Sequence, residues 1–306
     1  EVAGRHERLL VYLPGAGDTL EGISARFYGS AAEAWRIADA NPAGWAPPTR
    51  DQPLVVPLVD ANPIGVTPQG VQVVPVLCYH RFGATASKMT VTPAQFEAQL
   101  QWLARERFTV VRLSDLAEFL AGRRALPRRA VVITVDDGYE SFHRHAYPLL
   151  RKYEVPATLF LYTDFVGARD ALSWAQLGEL AASGLVDVQA HSKTHRNLVQ
   201  REAGETDEAY QRAVEAELRA PRAAIERRLA AQGVQVRHFA YPFGDANQAV
   251  LDAMRRQGYE LGVTVEPGSN PFYAHALMLR RTMIFGDHDL QAFASRVVTL
   301  RPAAAP

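Results

Sequence analysis

Two short polar segments carry residue types that can do hydrolytic chemistry. Asp136 and Asp137 are adjacent carboxylates, and His191 and His195 are imidazoles four residues apart. One carboxylate with two imidazoles forms a three-ligand set that leaves positions open for water and substrate, the usual arrangement of a catalytic divalent metal. The remaining carboxylate is then free to accept and release protons.

Each segment alone is weak evidence, because Asp-Asp-Gly is a common turn and histidines at this spacing also occur by chance on solvated helices. Together they are stronger evidence, since the runs 131–135 and 185–190 that precede them are apolar and strand-like. In alternating α/β folds, residues just past the carboxyl ends of strands converge on one rim. We therefore expect the two segments to meet in space.

Apolar runs alternate with segments of helical periodicity after residue 72, which predicts a parallel α/β barrel. The charged segment 201–228 is expected to present a solvated helix face with weak ion pairs. The predicted strands lie near 73–79, 108–112, 130–135, 157–162, 186–190, 237–241, 260–264 and 277–284, and the predicted helices span 93–105, 114–121, 142–153, 174–183, 208–231 and 247–257.

The segments Ile133–Ser141, Tyr147–Leu150 and Val155–Phe160 resemble the polysaccharide deacetylase family, also called the NodB-homology domain. That family is built around T-F-D-D-G and H-[ST]-x-x-H motifs, and the resemblance spans most of the chain, roughly 73–296. It implies an irregular (β/α)7-type barrel that hydrolyses acetamide groups of N-acetylglucosamine-containing polysaccharide.

By position, the resemblance makes Asp136 the general base and Asp137, His191 and His195 the metal ligands. Two imidazoles and a carboxylate suit zinc, and also cobalt, nickel or iron. A coordinated carboxylate is held ionised, while its neighbour is free to take a proton from water.

The pair Tyr79-His80 is similar to the opening motif of a family branch that acts on poly-N-acetylglucosamine and has a circularly permuted barrel. By that resemblance, His80 protonates the departing amine, the alternative being a histidine with satisfied hydrogen bonds at a strand end.

The segment 238–245 lies where many family members carry R-x-P-Y-G. Ala240 stands in place of the arginine and Phe243 in place of the tyrosine. The backbone N–H of Phe243 is the expected contact to the oxyanion. Arg280 and Arg281 are candidates to replace the missing arginine, although either could equally be a surface charge.

The first residues read as a separate module with the order strand, two short helices, strand, followed by a Pro- and Gly-punctuated linker. Its G-D-T-L start, A-N-P middle and L-x-V-P ending resemble a LysM domain, which implies binding to N-acetylglucosamine glycans. We assign residues 1–59 to this βααβ module, 60–72 to the linker and 73–306 to the deacetylase domain. The resemblance places the glycan groove at Gly17, Asp18, Thr19, Leu20, Asn41 and Pro42.

Composition favours a neutral or weakly polar substrate. Lys plus Arg equals Asp plus Glu at 33 each, so no net basic field draws the chain to nucleic acid or anionic lipid. Cys78 lacks a partner for an internal disulfide, and no apolar run reaches the roughly 18 residues of a membrane span. We expect a monomer in the periplasm or outside the cell, in association with the cell envelope, and an Ala/Pro tail after Leu300 that frays.

Two alternatives to a metal-dependent N-deacetylase remain open. The first is a catalytically silent glycan-binding protein, which Ala240 in place of the arginine would support. The second is an amidase of a small non-sugar amide, which the glycan-binding module disfavours.

Overall fold

A computed structural model describes residues 1–50, 52–60 and 62–303. The N-terminal module contains the strands β1 (Val2–Arg5), β2 (Leu9–Tyr12) and β3 (Leu54–Pro57), and the helices α1 (Leu20–Tyr28) and α2 (Ala34–Ala40). The strands form an antiparallel sheet in the order β1-β2-β3. The predicted strand–helix–helix–strand order is present, and β1 is an additional edge strand that the prediction lacked.

The rest of the chain forms a curled α/β sheet wrapped by helices. Its strands are β4 (Val66–Thr67), β5 (Gly70–Tyr79), β6 (Arg81–Phe82), β7 (Thr90–Val91), β8 (Thr109–Val110), β9 (Ala130–Val135), β10 (Ala157–Leu161), β11 (Val186–Ala190), β12 (His238–Ala240), β13 (Leu261–Val263), β14 (Ser269–Pro271), β15 (Thr282–Met283) and β16 (Leu300–Pro302). Its helices are α3 (Pro93–Arg105), α4 (Leu113–Leu120), α5 (Tyr147–Tyr153), α6 (Trp174–Ala182), α7 (Asp207–Arg228), α8 (Gln248–Arg256) and α9 (Leu290–Arg296), with a π-helical turn, Phe142–Ala146, leading into α5.

Within the described residues, seven parallel strands follow one another in the spatial order β13-β12-β11-β10-β9-β5-β15, and β8 adds a further parallel pairing to β9. Leu279 adds a parallel bridge to Val263 of β13, just before β15 pairs with β5. The segment 279–283 therefore contacts both ends of the curled sheet and brings it close to closure. The α/β prediction is confirmed, with the sheet curling into a half-barrel.

Side chains alternate between two cores because successive strand residues face opposite sides of the sheet. Val132 and Phe160 face the inside of the curl together with α4, whereas Val131, Ile133 and Leu159 face the outer helices. The strand residues that precede the polar segments are thus fixed on both faces. Of the described helices, none has the length and apolar character needed to traverse a lipid bilayer.

Three sequence expectations need correction. The stretch 277–284 was expected to be one strand, but it contains a 3₁₀ turn, Ala276–Met278, before the short β15. Part of the 60–72 linker is strand, because β4 and the start of β5 pair with each other. The tail does not fray at once, since β16 pairs with β5. Ala61 of the linker and residues 304–306 of the tail lie outside the described residues.

Candidate active site

The two carboxylates are placed by a sharp turn at the end of β9. Asp136 still follows the sheet, since its N–H donates to the Tyr79 carbonyl at 2.9 Å. Asp137 then adopts a φ of 77° and Gly138 a φ of 88°, both in the left-handed region. Glycine is required at the second position, where a Cβ would collide with the side chain of Leu161. This turn aims both carboxylates into the mouth of the curled sheet.

The two histidines follow β11, and they lie on a loop instead of the helical turn that the spacing suggested. Ser192 and His195 both have a positive φ, at 76° and 66°. The loop closes on itself where the N–H of His195 donates to Oγ of Ser192 at 2.9 Å. Positive φ at non-glycine residues costs energy and is found at functional sites, where the surrounding structure enforces it.

Glu217 of α7 anchors this loop from behind. Its Oε2 accepts the N–H groups of Lys193 and Thr194, each at 2.9 Å, and its Oε1 accepts the Thr194 hydroxyl at 2.8 Å. Only 6% of Glu217 is exposed. The charged segment 201–228 is therefore not simply a solvated face, because one of its carboxylates is buried and holds the histidine loop.

Asp137, His191 and His195 converge as the sequence predicted. Oδ1 of Asp137 lies 3.5 Å from Nε2 of His191 and 3.4 Å from Nε2 of His195. Ligand atoms about 2.1 Å from a tetrahedral ion are separated by about 3.4 Å, so the spacing fits a zinc-type site. All three ligand atoms lie within 4.8 Å of one another. Their role as metal ligands stays a prediction.

Protonation at this triad also suits a cation. Nδ1 of His191 lies 2.7 Å from the Ala240 carbonyl, to which it donates, so Nε2 is left as the lone-pair nitrogen. Burial works to raise the pKa of Asp137, but its interactions with the two adjacent imidazoles outweigh burial and hold the pKa well below its usual range. The carboxylate is therefore ionised at neutral pH.

Asp136 is engaged differently, by the fully buried guanidinium of Arg281. The two side chains form a bidentate pair, with both N–O distances at 2.7 Å. Burial favours the protonated acid, yet the charge of Arg281 prevails and the pKa of Asp136 lies below its usual value. Arg281 also donates to the Thr264 carbonyl at 2.7 Å, so its position is fixed. Of the two candidate arginines, Arg281 is the partner, while Arg280 is at the surface.

His80 and Cys78 lie on the other side of Asp136. Sγ of Cys78 is 3.5 Å from Oδ2 of Asp136, and a ring nitrogen of His80 lies within 4.8 Å of both. Burial lowers the pKa of His80, although the nearby carboxylates oppose this. To act as a general acid His80 must first be protonated, a form that burial disfavours and the neighbouring Asp136 and Asp137 favour. From the sequence, Cys78 was noted only for its lack of a disulfide partner.

Phe243 lies at the rim with a φ of 61° and 59% exposure. Among the described residues, its N–H has no hydrogen-bond acceptor, whereas the next residue, Gly244, donates to the Tyr241 carbonyl at 2.8 Å. The Phe243 ring packs against His195 with centroids 5.0 Å apart. A free N–H beside the histidines is compatible with the predicted oxyanion contact.

A strip of aromatic rings continues from His195 along the rim, and no pattern in the sequence predicted it. Tyr162 lies 5.1 Å from His195, Phe165 stacks on Tyr162 at 5.0 Å, and Tyr139 meets Phe165 at 5.3 Å. Arg81 caps the far end, 3.8 Å above the Tyr139 ring. We call Tyr139, Tyr162 and Phe165 the aromatic strip.

Most of the residues predicted for the glycan groove have structural roles in the N-terminal module. Asp18 accepts from the Tyr12 hydroxyl and the Gly15 N–H, and Thr19 caps α1. Leu20 is buried in the module core. Asn41 bridges α2 and β3 through bonds to Ile37 and Val55. Gly17 and Pro42 remain exposed.

Glu217 and Arg281 are residues of the candidate site that the sequence did not single out clearly. A signal for Glu217 existed, because it interrupts the buried stripe Tyr210, Val214, Leu218 and Pro221 of α7 with a charge. For Arg281 there was no comparable signal, since its partner is 145 residues away.

Comparison with known proteins finds similarity to polysaccharide deacetylases. The model of the polysaccharide deacetylase family matches residues 123–262. Poly-beta-1,6-N-acetyl-D-glucosamine N-deacetylase of Staphylococcus aureus (strain MRSA252) is 27% identical over 202 residues, covering 62% of this chain and 68% of that protein. The structure of IcaB from Ammonifex degensii is 28% identical with a TM-score of 0.66, covering 75% of this chain and 98% of that one. The Streptococcus pyogenes deacetylase PplD, 23% identical with a TM-score of 0.67, covers 74% of this chain and 99% of that one and shares the fold.

The role of Glu217 is open to a direct test. Glu217→Gln keeps the size but replaces one accepting oxygen with an NH₂ group, so the loop loses at least one of its anchors. We expect the affinity for Zn²⁺ to fall about 10- to 100-fold, as for other residues that orient ligands. Competition with a chromophoric chelator measures this. Glu208→Gln, an exposed carboxylate on the same helix, is the control. Unchanged Zn²⁺ affinity in Glu217→Gln would refute the anchoring role.

Proposed function

We propose that this chain, whose residues 123–262 match the model of the polysaccharide deacetylase family, is a metal-dependent N-deacetylase of N-acetylglucosamine polymers. The observation that carries the proposal is the unequal engagement of adjacent carboxylates. Asp137 faces two imidazoles, whereas Asp136 is paired with Arg281. One carboxylate is thus placed for a cation and the other for proton transfer.

The triad suits a divalent cation of the zinc type, and cobalt, nickel or iron fit the same donors. Such an ion supplies Lewis-acid polarisation of the acetamide carbonyl and promotes loss of a proton from water. Arg281 neutralises Asp136 and leaves the charge of Asp137 for the ion. No second cation is needed to balance this pair of carboxylates.

Different side chains of the protein carry out the proton transfers of the reaction. Asp136 accepts a proton from the attacking water as its oxygen bonds to the acetamide carbon, and the Phe243 N–H donates to the oxyanion. When the C–N bond breaks, His80 donates a proton to the departing nitrogen. The products are acetate and a free amine. Arg281 keeps Asp136 ionised and correctly oriented until Asp136 accepts the proton from water.

The aromatic strip favours a polymeric sugar over a small amide. Its rings are half-exposed and extend from the histidine loop across the ends of β10 and β9. Aromatic faces stack on the apolar faces of sugar rings, and a row of them can hold several successive units. A small amide would need only an enclosed pocket. The strip therefore supports binding of an extended glycan across the active site.

The main alternative is a catalytically silent glycan-binding protein. The observation that supported it was Ala240 in place of the family's arginine. Arg281 now supplies the guanidinium that Ala240 lacks, with two 2.7 Å contacts to Asp136. Ala240 therefore no longer supports a catalytically silent protein.

We further propose that the N-terminal module is a LysM-type glycan-binding domain and that the protein is a monomer. Its proposed location is the periplasm or the cell exterior, at the envelope, where such polymers occur. The named relative that acts on poly-beta-1,6-N-acetyl-D-glucosamine makes this polymer the first substrate to try.

Acetate release tests the main proposal. Wild type with Zn²⁺ or Co²⁺ should release acetate from oligomers of β-1,6-linked N-acetylglucosamine, and Asp136→Asn should be at least about 100-fold slower, since it removes the general base. Asp252→Asn, a neutralised carboxylate on the exposed face of α8, is the control and should behave as wild type. If wild type is no faster than Asp136→Asn on any acetylated glycan, the silent alternative holds.

Chain-length dependence tests the aromatic strip. For wild type, kcat/KM should rise from the disaccharide to the pentasaccharide. Phe165→Ala and Tyr139→Ala should reduce kcat/KM for the pentasaccharide about 3- to 10-fold, the size of one stacking contact, and leave the disaccharide unaffected. Tyr273→Ala removes an exposed ring elsewhere and serves as the control. An equal loss on both substrates would mean that the strip supports folding and not polymer binding.

A further inference from the structure

A second cleft lies between the N-terminal module and the barrel. It has a volume of about 490 Å³, within the range of ligand-binding sites. Its barrel side is formed by residues at or just before the starts of β8 and β9, including Thr109 and Arg129. Because the active site lies past the opposite ends of the parallel strands, the cleft and the catalytic residues are at different ends of the barrel.

The two domains contribute different chemistry to this cleft. The module contributes Pro42 and the indoles of Trp35 and Trp45. Trp35 is largely buried, and Trp45 is half-exposed. The barrel contributes three guanidinium groups, from Arg107, Arg128 and Arg129. Only the Asn41-Pro42 side of the groove predicted from the LysM resemblance takes part, so the cleft overlaps that groove in part and is completed by residues of the barrel.

Hydrogen bonds between the two domains lie beside the cleft and fix the relative position of its walls. The N–H of Arg128 donates to Oδ2 of Asp39 at 3.0 Å, and its guanidinium donates to the Asp39 carbonyl at 2.8 Å. A further link joins the Ala125 N–H to Asp60 at 2.8 Å. The cleft walls therefore belong to one packed interface.

Arg107 occupies a costly position at the end of α3. Its φ of 59° is left-handed, where glycine usually ends a helix. The guanidinium lies 5.4 Å from the centre of the Trp45 ring. Among the described residues it forms no ion pair or side-chain hydrogen bond. Arg107 is exposed, so its five donors are free to bind a ligand that enters the cleft.

The charge of the cleft defines the class of that ligand. Among the described residues that line it, three arginines face a single carboxylate, Asp39; Arg128 pairs with Asp39 and Arg129 with the neighbouring Glu106, which leaves Arg107 without a charged partner. The surplus is positive, and planar guanidinium groups match carboxylates in a bidentate fashion. The half-exposed indole of Trp45 beside them offers an apolar face to a sugar ring.

We propose that this interdomain cleft binds a carboxylate-bearing saccharide, with a sugar ring on Trp45 and the carboxylate at Arg107 and its neighbours. A de-N-acetylated product is cationic and is disfavoured by the same positive charge. The cleft thus recognises acidic glycan at a distance from catalysis, and it anchors the protein to a matrix that contains such sugars. The proposal does not depend on whether the barrel is an active deacetylase.

Calorimetric titration of the full chain tests the proposal. The probe is the peptidoglycan tetrasaccharide that alternates N-acetylglucosamine with N-acetylmuramic acid, compared with neutral chitotetraose. Wild type should bind the acidic probe at least 10-fold more tightly than chitotetraose, and the difference should shrink at high salt. Arg107→Glu and Trp45→Ala should each weaken binding of the acidic probe at least 10-fold.

Arg227→Glu makes the same charge change at an exposed position of α7 outside the cleft, and it should bind the acidic probe as wild type. Thermal melting of each variant shows whether it is folded. Equal affinity for both probes, or unchanged binding in folded Arg107→Glu, would overturn the proposal. Since binding is measured without acetate release, an inactive barrel would leave these results interpretable.

Discussion

The buried pair of Asp136 and Arg281 is the interaction on which the rest of the site depends. Both side chains are almost inaccessible to water, at 1% and 0% exposure. Removing one partner of such a pair leaves an uncompensated buried charge, which costs roughly 3–5 kcal/mol. The pair therefore has to form as the sheet curls. Once formed, it keeps Asp136 ionised inside the barrel and separates its role from that of Asp137.

Much of this arrangement was accessible from the sequence because it is local. The strands β9 and β11 were predicted at their observed bounds, and the polar residues that follow them lie together, since parallel strands end at one rim. The helix α3 was also predicted at its observed bounds, 93–105, with Thr92 and Gln95 forming a capping box. Apolar periodicity and turn residues carry this kind of information.

The remaining features arise from tertiary contacts. Arg281 reaches Asp136 only because the segment 279–283 joins both ends of the curled sheet, and short strands such as β15 leave little periodic signal. Glu217 looks like one more charge on an exposed helix until the histidine loop is packed against it. The interdomain cleft depends on how two domains meet, which no local pattern encodes.

Metal binding by two isosteric variants tests most directly whether Asp137 is a metal ligand and Asp136 is not. Equilibrium dialysis against Zn²⁺ should show one bound equivalent for wild type and for Asp136→Asn, because Asp136 is committed to Arg281. Thermal melting shows whether Asp136→Asn is folded, since this variant leaves the buried charge of Arg281 uncompensated. Asp137→Asn should lose affinity about 100-fold or more, because it removes a charged ligand from the triad. Equal loss of Zn²⁺ in both variants, or full retention in Asp137→Asn, would contradict the account.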